Sequence, residues 1–372
     1  MTERRIGFLV NPVAGLGGAR GLHGTDRLAD IEPSMTDLQW CTATSAGPAP
    51  HRARRAARAL ARAGNLRLVT VGGSMGEVIA TEAGLRHEVV YQPSTARTTA
   101  DDTRRGAAAI ARRGVDALLF VGGDGTARDV CASVGTTLAT VGVPSGVKMH
   151  SGVFAFTPEE AATAALAVGA GGARMDEVDV VDLDEDARAR GDLATRAFGK
   201  LLLPVVPEIQ RGKSGGPTSA GVLESIAREL AARLRPDASH VFGPGTTVQA
   251  VGKHLGLELS LLGVDVERAH RVHPDVSADE LIALTADHAV QVVVSPIGGQ
   301  GLILGRGNQQ IAGSVLEHLD PADLLIIGAP QKLAALGGTL RLDTPSVDLN
   351  RRFSGLRRVI TGYRQESLIS VR

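Results

Sequence analysis

The sequence predicts an α/β protein in which an N-terminal doubly wound parallel sheet is followed by a β-rich C-terminal domain. Two observations predict this fold. Over residues 1–171, short apolar runs alternate with Ala- and Arg-rich helical segments, and most runs end in a glycine-rich turn, a pattern that is typical of a parallel sheet covered by helices. Over residues 172–318, shorter strand-like runs are separated by turns, which favours a mixed or largely β domain.

The strands of the first domain are predicted from five apolar runs at 6–10, 66–71, 88–91, 118–121 and 138–143. Helical segments such as 101–113 lie between them. Ligands of doubly wound sheets bind at the carboxyl ends of the strands. Because the glycine-rich turns directly follow the strands, we expect several of them to converge on one ligand site.

A break in the pattern predicts the domain boundary. The helical segment 158–168 gives way to Gly-Ala-Gly-Gly at 169–172, which indicates the end of the first domain at about residue 171. The second domain is predicted from strand-like runs at 175–193, 200–206, 240–242 and 290–294 and from an amphipathic helix at 218–234. Residues 319–372 again have a strand followed by a helix, and we expect this tail to pack back on the first domain.

Composition argues against several classes of protein. The 372 residues contain 40 basic and 40 acidic side chains, a balance that does not suit a principal partner that is a nucleic acid or an anionic membrane. The sequence lacks an apolar run of about 18 residues, and its first five residues lead directly into a strand-like run. We therefore expect a cytoplasmic protein. Cys41 and Cys131 are too few for a disulfide framework, so we expect both to be reduced.

The most informative motif is Gly-Gly-Asp-Gly-Thr at residues 122–126, between a predicted strand and a predicted helix. Its glycines allow a sharp turn and a close approach to a ligand, and the amides of a helix start bind anions. Asp124, placed among groups that suit phosphate, could take a proton from a hydroxyl or hold a magnesium ion. The motif therefore predicts phosphoryl transfer. The alternative is that Asp124 is the N-cap of the helix.

Lys148 and His150 follow the fifth predicted strand. Lysine is rare in this chain, which has only five, and a compact ammonium at this position suits a phosphate. His150 could contact substrate or phosphate, or it could be a hydrogen-bonded histidine at the end of a strand. The Walker A pattern is absent from the sequence, so the chain is not a P-loop enzyme.

Several segments in order resemble the superfamily of NAD kinases and diacylglycerol or sphingosine kinases. Within it, the chain resembles the branch of the ATP-NAD kinase family that includes the acetoin-catabolism protein X. The segments are 10–18, 72–77, 102–103, 122–126, 146–151, 243–247, 296–301 and 305–310. The resemblance extends over nearly the whole chain.

The resemblance implies a two-domain kinase in which nucleotide and acceptor meet between the domains. It implies that Asp124 activates the acceptor hydroxyl. From the residues and the resemblance together we expect a kinase that requires ATP and Mg²⁺, in which Lys148 offsets developing charge. The predicted catalytic residues are thus Asp124 and Lys148, and no residue is assigned to a metal. The predicted cofactor- and substrate-binding residues are Asn11, Gly15, Gly72, Gly73, Gly122, Gly123, Gly125, Thr126, His150, Thr246 and Thr247. A homo-oligomer is also expected, since oligomers are common in the family.

The acceptor is the least determined part of this prediction. The 2′-hydroxyl of the adenosine ribose of NAD is the first candidate. NAD kinases hold adenine and ribose with an Asn-Glu pair, which has no counterpart at 197–209. The alternatives are a kinase for another small alcohol, a nucleoside-like metabolite or a lipid head group, and a nucleotide-binding sensor without turnover.

Overall fold

The computed structural model describes residues 3–16, 36–146, 149, 151–170, 173–183, 195–206, 209, 219–297, 301–311, 313–344 and 346–372. The described residues form two compact units, one that contains those up to residue 209 and one that contains those from residue 219 onward. Across these ranges, no helix combines the length and the apolar character that crossing a membrane requires.

The first unit is built on a five-stranded parallel sheet with the strand order β3-β2-β1-β4-β5. Its strands are β1 Arg4–Val10, β2 Leu66–Val71, β3 His87–Tyr91, β4 Ala117–Gly122 and β5 Thr140–Pro144. Its helices are α1 Asp37–Ser45, α2 Pro48–Ala61, α3 Glu77–Glu82, α4 Ala100–Arg112, α5 Asp124–Val134 and α6 Pro158–Gly169. The predicted doubly wound fold is therefore confirmed.

Alternating side chains of the central strands face two separate hydrophobic cores. On β4, Leu119 and Val121 pack with the buried alanines of α2 and α6. Leu118 and Phe120 pack on the opposite face against α4 and α5. This strand is apolar throughout because helices cover both faces of the sheet.

The predicted boundary at residue 171 is corrected by the hairpin that follows it. Strands β6 Met175–Leu183 and β7 Thr195–Pro204 form an antiparallel pair, and both strands contact α5. Val180 and Leu201 are fully buried in the same core as Phe120. The hairpin therefore belongs to the first unit, and the described residues change unit between 209 and 219.

The second unit contains a nine-stranded mixed sheet with the order β10-β9-β8-β11-β13-β15-β16-β14-β12. Its strands are β8 Ala238–Phe242, β9 Asp265–Arg268, β10 Arg271–His273, β11 Ala289–Val294, β12 Leu302–Leu304, β13 Leu324–Ile327, β14 Thr339–Leu342, β15 Gly355–Gly362 and β16 Gln365–Val371. Its helices are α7 Ala220–Ala231, α8 Thr246–His254, α9 Ala278–Thr285, α10 Gly313–His318, α11 Pro330–Ala335 and α12 Val347–Phe353. The expected β-rich domain is present, with helices added.

The segment 319–372 does not form the expected separate tail. Its strand β13 pairs with β11 on one side and with β15 on the other, and Ile326 and Val359 are buried in the core of the second unit. These strands lie inside the nine-stranded sheet, because their backbone groups are hydrogen-bonded there and their apolar side chains are buried there. The segment is therefore part of the second unit, and its return to the first domain stays a prediction.

Candidate active site

The Gly-Gly-Asp-Gly-Thr motif connects β4 directly to α5. Gly123 is the N-cap of the helix, with φ −116° and ψ −165°, and Asp124 is its first helical residue. The alternative interpretation of Asp124 as the N-cap is therefore wrong. The Asp124 side chain is 5% exposed, and its carboxylate lies at the positive end of the helix dipole, which favours a negative charge.

Ser151 holds the Asp124 carboxylate in place. The backbone N–H of Ser151 donates a hydrogen bond to Oδ1 of Asp124 at 3.1 Å. The Ser151 hydroxyl donates to the carbonyl oxygen of Val181 at 2.7 Å and accepts from the Val181 N–H at 2.9 Å. Through these contacts the carboxylate is connected to β6. The boundary predicted at residue 171 separated these groups, so the sequence analysis missed this contact.

Asn11 connects the end of β1 to the first turn of α5. Its backbone N–H donates to the carbonyl of Val121 at 3.0 Å, and its side-chain Nδ2 donates to Oγ1 of Thr126 at 2.9 Å. Thr126 is buried directly beside Gly122, where a Cβ would lie 2.3 Å from its Oγ1. Asn11, Gly122 and Thr126 thus have a structural role in bringing the start of the helix close to the sheet.

Gly15 allows the loop after β1 to pack against the end of β5. Gly15 has φ +83°, and a Cβ there would lie 2.2 Å from the carbonyl oxygen of Ser145. The Ser145 hydroxyl donates to the carbonyl of Ala14 at 3.2 Å, and its N–H donates to the carbonyl of Gly122 at 2.8 Å. Three turns therefore meet at the carboxyl edge of the sheet. Ser145 was not predicted as a site residue, although it lies only three residues before Lys148.

The turn after β2 packs against the end of β3 and is closed by Glu77. The N–H of Gly72 donates to the carbonyl of Tyr91 at 2.9 Å, and a Cβ on Gly72 would overlap the side-chain amide of Gln92. Gly73 has φ +61°, and its N–H donates to Oε2 of Glu77 at 2.8 Å. Packing therefore explains the glycine at 72, and the positive φ explains the glycine at 73. The Gly73 amide already donates a hydrogen bond to the Glu77 carboxylate. Their role in binding a cofactor stays a prediction.

Gly125 differs from the other glycines of the motif. It lies in the first turn of α5 and is half-buried, yet a Cβ built on it meets no atom of the described residues within 4 Å. For Gly123, by comparison, the nearest atom would be the Cα of Gly146 at 3.1 Å. Packing among the described residues therefore does not explain the glycine at 125.

Asp102, in one of the segments that carried the resemblance, has a structural role. Its Oδ2 accepts from the N–H and the hydroxyl of Thr99, both at 2.8 Å, and its Oδ1 accepts from the Tyr91 hydroxyl at 2.7 Å. Burial opposes ionisation of Asp102, but these hydrogen bonds outweigh it, and the pKa of the carboxyl lies below its ordinary value. Asp102 thus caps α4 and joins it to the end of β3.

Two predicted residues of the first unit, Lys148 and His150, lie outside the described residues, and their roles stay predictions. Within the described ranges, no group of three His, Cys, Asp or Glu side chains is arranged to hold a metal ion. Asp124 is the carboxylate of the Gly-Gly-Asp-Gly-Thr motif that could contribute one ligand to a metal ion.

Cys41 and Cys131 are both free thiols, and burial raises the pKa of the Cys131 thiol.

Thr246 and Thr247 lie in the second unit, where β8 is followed by α8. Gly245 has φ +128° and is the N-cap of α8 without a capping side chain, so the two threonines are its first helical residues. Thr246 is exposed and Thr247 is buried. The predicted contact of both residues with substrate stays a prediction.

A parallel sheet with glycine-rich turns and a buried aspartate at its carboxyl edge is typical of an α/β protein that binds phosphorylated ligands. The family is given by two models that match the chain: the ATP-NAD kinase N-terminal domain over residues 6–173 and the ATP-NAD kinase C-terminal domain over residues 237–371. The chain belongs to the ATP-NAD kinase family, and the family resemblance is confirmed. The branch that includes the acetoin-catabolism protein X stays a prediction.

Membership of this family defines a kinase of NAD-kinase type, a phosphotransferase that acts on a hydroxyl of a small molecule. The family uses ATP or polyphosphate together with a divalent metal. Comparison with curated proteins and with solved structures found no match.

Proposed function

We propose that this protein transfers the terminal phosphoryl group of ATP to the 2′-hydroxyl of the adenosine ribose of NAD. The observation that supports this function best is the placement of Asp124. Its carboxylate is buried at the first residue of α5, inside a glycine-rich turn, and is oriented by the N–H of Ser151. A buried, oriented carboxylate beside a phosphate-binding turn is suited to accept the proton of an attacking hydroxyl.

The phosphates of ATP would bind at the start of α5 and in the loop after β1. The first amides of a helix have no partner within the helix, and they point toward the region where the dipole favours an anion. Asn11 and Ser145 hold these two turns together, so the amides are oriented before the nucleotide binds. Preorganised donors of this kind supply much of the catalysis in phosphoryl transfer.

The chemistry of the motif fits a magnesium ion delivered with ATP. Mg²⁺ prefers oxygen ligands and is often held by one or two carboxylates together with substrate phosphates, and Asp124 supplies one such carboxylate. When bound, the ion would neutralise charge on the phosphates. Asp124 is thus proposed as the base or as a metal ligand.

The remaining roles extend the proposal to residues outside the motif. Lys148 would offset charge that develops on the transferred group, and His150, Thr246 and Thr247 would contact substrate. A homo-oligomer and a cytoplasmic location, both expected from the sequence, stay predictions.

The test is mass spectrometry of the products after incubation of the protein with ATP, Mg²⁺ and NAD. We expect NADP from the wild type and a turnover about 10²- to 10⁴-fold lower for Asp124→Asn. The matched control is Asp129→Asn, which removes another buried carboxylate of α5, one that is paired with Arg104 at 2.8 Å. Circular dichroism verifies that both variants are folded. An Asp124→Asn protein that forms NADP at the wild-type rate would show that the mechanism is wrong.

A second candidate is a kinase for another small alcohol, and the missing Asn-Glu pair at 197–209 favours it. Release of ADP is then measured with a panel of polyols, nucleosides and lipid head groups in place of NAD. ADP release that depends on one of these acceptors, together with unreacted NAD, would select this candidate. Nucleotide binding without any product would instead indicate a sensor.

A further inference from the structure

Two arginines and a phenylalanine form a basic cluster where α5 packs on the hairpin of β6 and β7. The guanidinium carbon of Arg128, on α5, lies 5.4 Å from the ring centroid of Phe198 on β7. The guanidinium carbon of Arg196, two residues earlier on the same strand, lies 5.6 Å from the same centroid. We call Arg128, Arg196 and Phe198 the arginine cluster. Both cations gain a favourable contact with the aromatic ring, which restricts their positions at the surface.

The arginine cluster carries more positive charge than the described residues around it neutralise. Nη1 of Arg128 donates to Oδ2 of Asp182 at 3.2 Å, and Asp182 lies directly opposite Arg196 in the antiparallel pair of β6 and β7. A guanidinium has five N–H donors. Among the described residues, only this one donor of Arg128 has an acceptor, and Arg196 has none. The remaining donors are available to a ligand, because the Arg128 side chain is 39% exposed and Arg196 is also exposed.

The arginine cluster lies close to the Asp124 carboxylate within the first unit. Arg128 follows Asp124 by four residues on α5, and side chains at this spacing share a helix face, with Cβ atoms roughly 5–6 Å apart. A second connection runs through the hairpin. Val181 exchanges two hydrogen bonds with the Ser151 hydroxyl, and the Ser151 N–H donates to Asp124. Because Val181 directly precedes Asp182, the partner of Arg128, both connections place the cluster beside the proposed site.

The chemistry of the arginine cluster selects phosphate as the group that binds. Exposed guanidinium donors bind phosphate oxygens through charge-assisted hydrogen bonds of well-defined geometry. The proposed reaction brings two phosphorylated molecules, ATP and NAD, to Asp124. The alternative is that the two arginines only cover the Phe198 ring, which is half-buried. That role requires no anion, and it predicts no change in nucleotide affinity when an arginine is replaced.

We propose that Arg128 and Arg196 bind a phosphate group of a substrate held at Asp124, while Phe198 and Asp182 keep the two guanidinium groups in place. This inference rests on the proposed function, because the phosphate is taken to belong to ATP or to NAD. It adds two residues outside the Gly-Gly-Asp-Gly-Thr motif to phosphate recognition, and it gives the hairpin of β6 and β7 a part in the site.

The test is isothermal titration of wild type and Arg196→Gln with ATP and, separately, with NAD. Because Arg196 is exposed and donates no hydrogen bond to the described residues, the variant should keep the wild-type melting temperature. The Kd for the nucleotide whose phosphate binds the cluster should rise roughly 5- to 100-fold. A rise for ATP alone assigns the cluster to the donor, and a rise for NAD alone assigns it to the acceptor. Arg128→Gln should weaken binding of the same nucleotide.

The matched control is Arg364→Gln. Arg364 is also exposed, and its guanidinium carbon lies 5.4 Å from the ring centroid of Tyr363, so the variant removes the same charge and the same kind of ring contact. It should leave the Kd for ATP and the Kd for NAD unchanged. The inference is overturned if Arg196→Gln and Arg128→Gln bind both nucleotides as tightly as wild type, or if Arg364→Gln weakens binding to the same extent.

Inorganic pyrophosphate distinguishes a failure of this inference from a failure of the proposed function. The probe has phosphates but no nucleoside, so wild type should bind it and Arg196→Gln should bind it more weakly. If this difference is found but wild type forms no NADP, the proposed function is wrong and the phosphate site stands. If wild type forms NADP while neither arginine substitution changes the affinity for ATP, NAD or pyrophosphate, the proposed function stands and the phosphate site is refuted.

Discussion

Replacing Gly125 with alanine separates the stability of the glycine-rich turn from its proposed binding function. Gly125 is the second residue of α5, its φ is not positive, and a Cβ on it meets no atom within 4 Å in the described part of the chain. In a helix, alanine is more stable than glycine by about 0.5–1 kcal/mol. For a domain of this size, that gain raises the melting temperature by roughly 1–4 °C. We therefore expect Gly125→Ala to be more stable than the wild type.

The same methyl group should weaken the binding of ATP. It would occupy the open space beside the first turn of α5, where the phosphates are proposed to approach the backbone closely. We expect the Kd for ATP to rise about tenfold or more, which corresponds to about 1.4 kcal/mol. Differential scanning calorimetry of the free protein and isothermal titration with ATP measure the two effects separately.

Two other glycines provide controls for this experiment. Gly221 is also the second residue of a helix, α7, and a Cβ on it also meets no described atom within 4 Å, so Gly221→Ala should stabilise the protein without a change in ATP affinity. Gly122→Ala should destabilise the first unit by about 1–3 kcal/mol, because its Cβ would lie 2.3 Å from Oγ1 of Thr126. A Gly125→Ala protein with wild-type affinity for ATP would refute the binding role of Gly125, and one that is less stable than wild type would refute the packing argument.

Two further predictions concern side chains that hold the site in place. Tyr91→Phe removes the hydrogen bond to Asp102 and should lower the free energy of unfolding by about 1 kcal/mol at pH 7. Because the pKa of Asp102 is lowered in the folded protein, the stabilisation by this hydrogen bond is present above pH 3.8 and is lost as the pH falls through the lower folded pKa. Urea titrations of both proteins at several pH values check this. A difference in unfolding free energy between wild type and Tyr91→Phe that persists in acid contradicts it. Ser151→Ala removes the hydroxyl that holds the Ser151 N–H in place as a donor to Asp124. We expect kcat to fall roughly 10- to 100-fold with little change in the KM for ATP. Steady-state kinetics measure both constants, and a change in KM alone would exclude a positioning role for Ser151.

Much of the candidate site could be predicted from the sequence because it is local. Asn11 and residues 122–126 follow an apolar run directly, and Gly15 lies in the loop after the first run. A strand followed by a glycine-rich turn places its residues at the carboxyl edge of a parallel sheet. Ser151 and Ser145 could not be predicted in the same way. Their contacts with Val181 and Ala14 join residues that are 30 and 131 positions apart, and no local pattern indicates such pairs.

The sequence by itself determined the strands of the first sheet, the glycine-rich turns that follow them and the Gly-Gly-Asp-Gly-Thr motif, because period, glycine and helix-start signals depend on neighbouring residues. Only the tertiary structure decided which unit each later element joins. The hairpin of β6 and β7 belongs with α5 because Val180 and Leu201 are buried there, and β13 lies inside the second sheet because it pairs on both sides. Burial and hydrogen bonding depend on contacts between distant segments, and these are set by the packing of the whole unit.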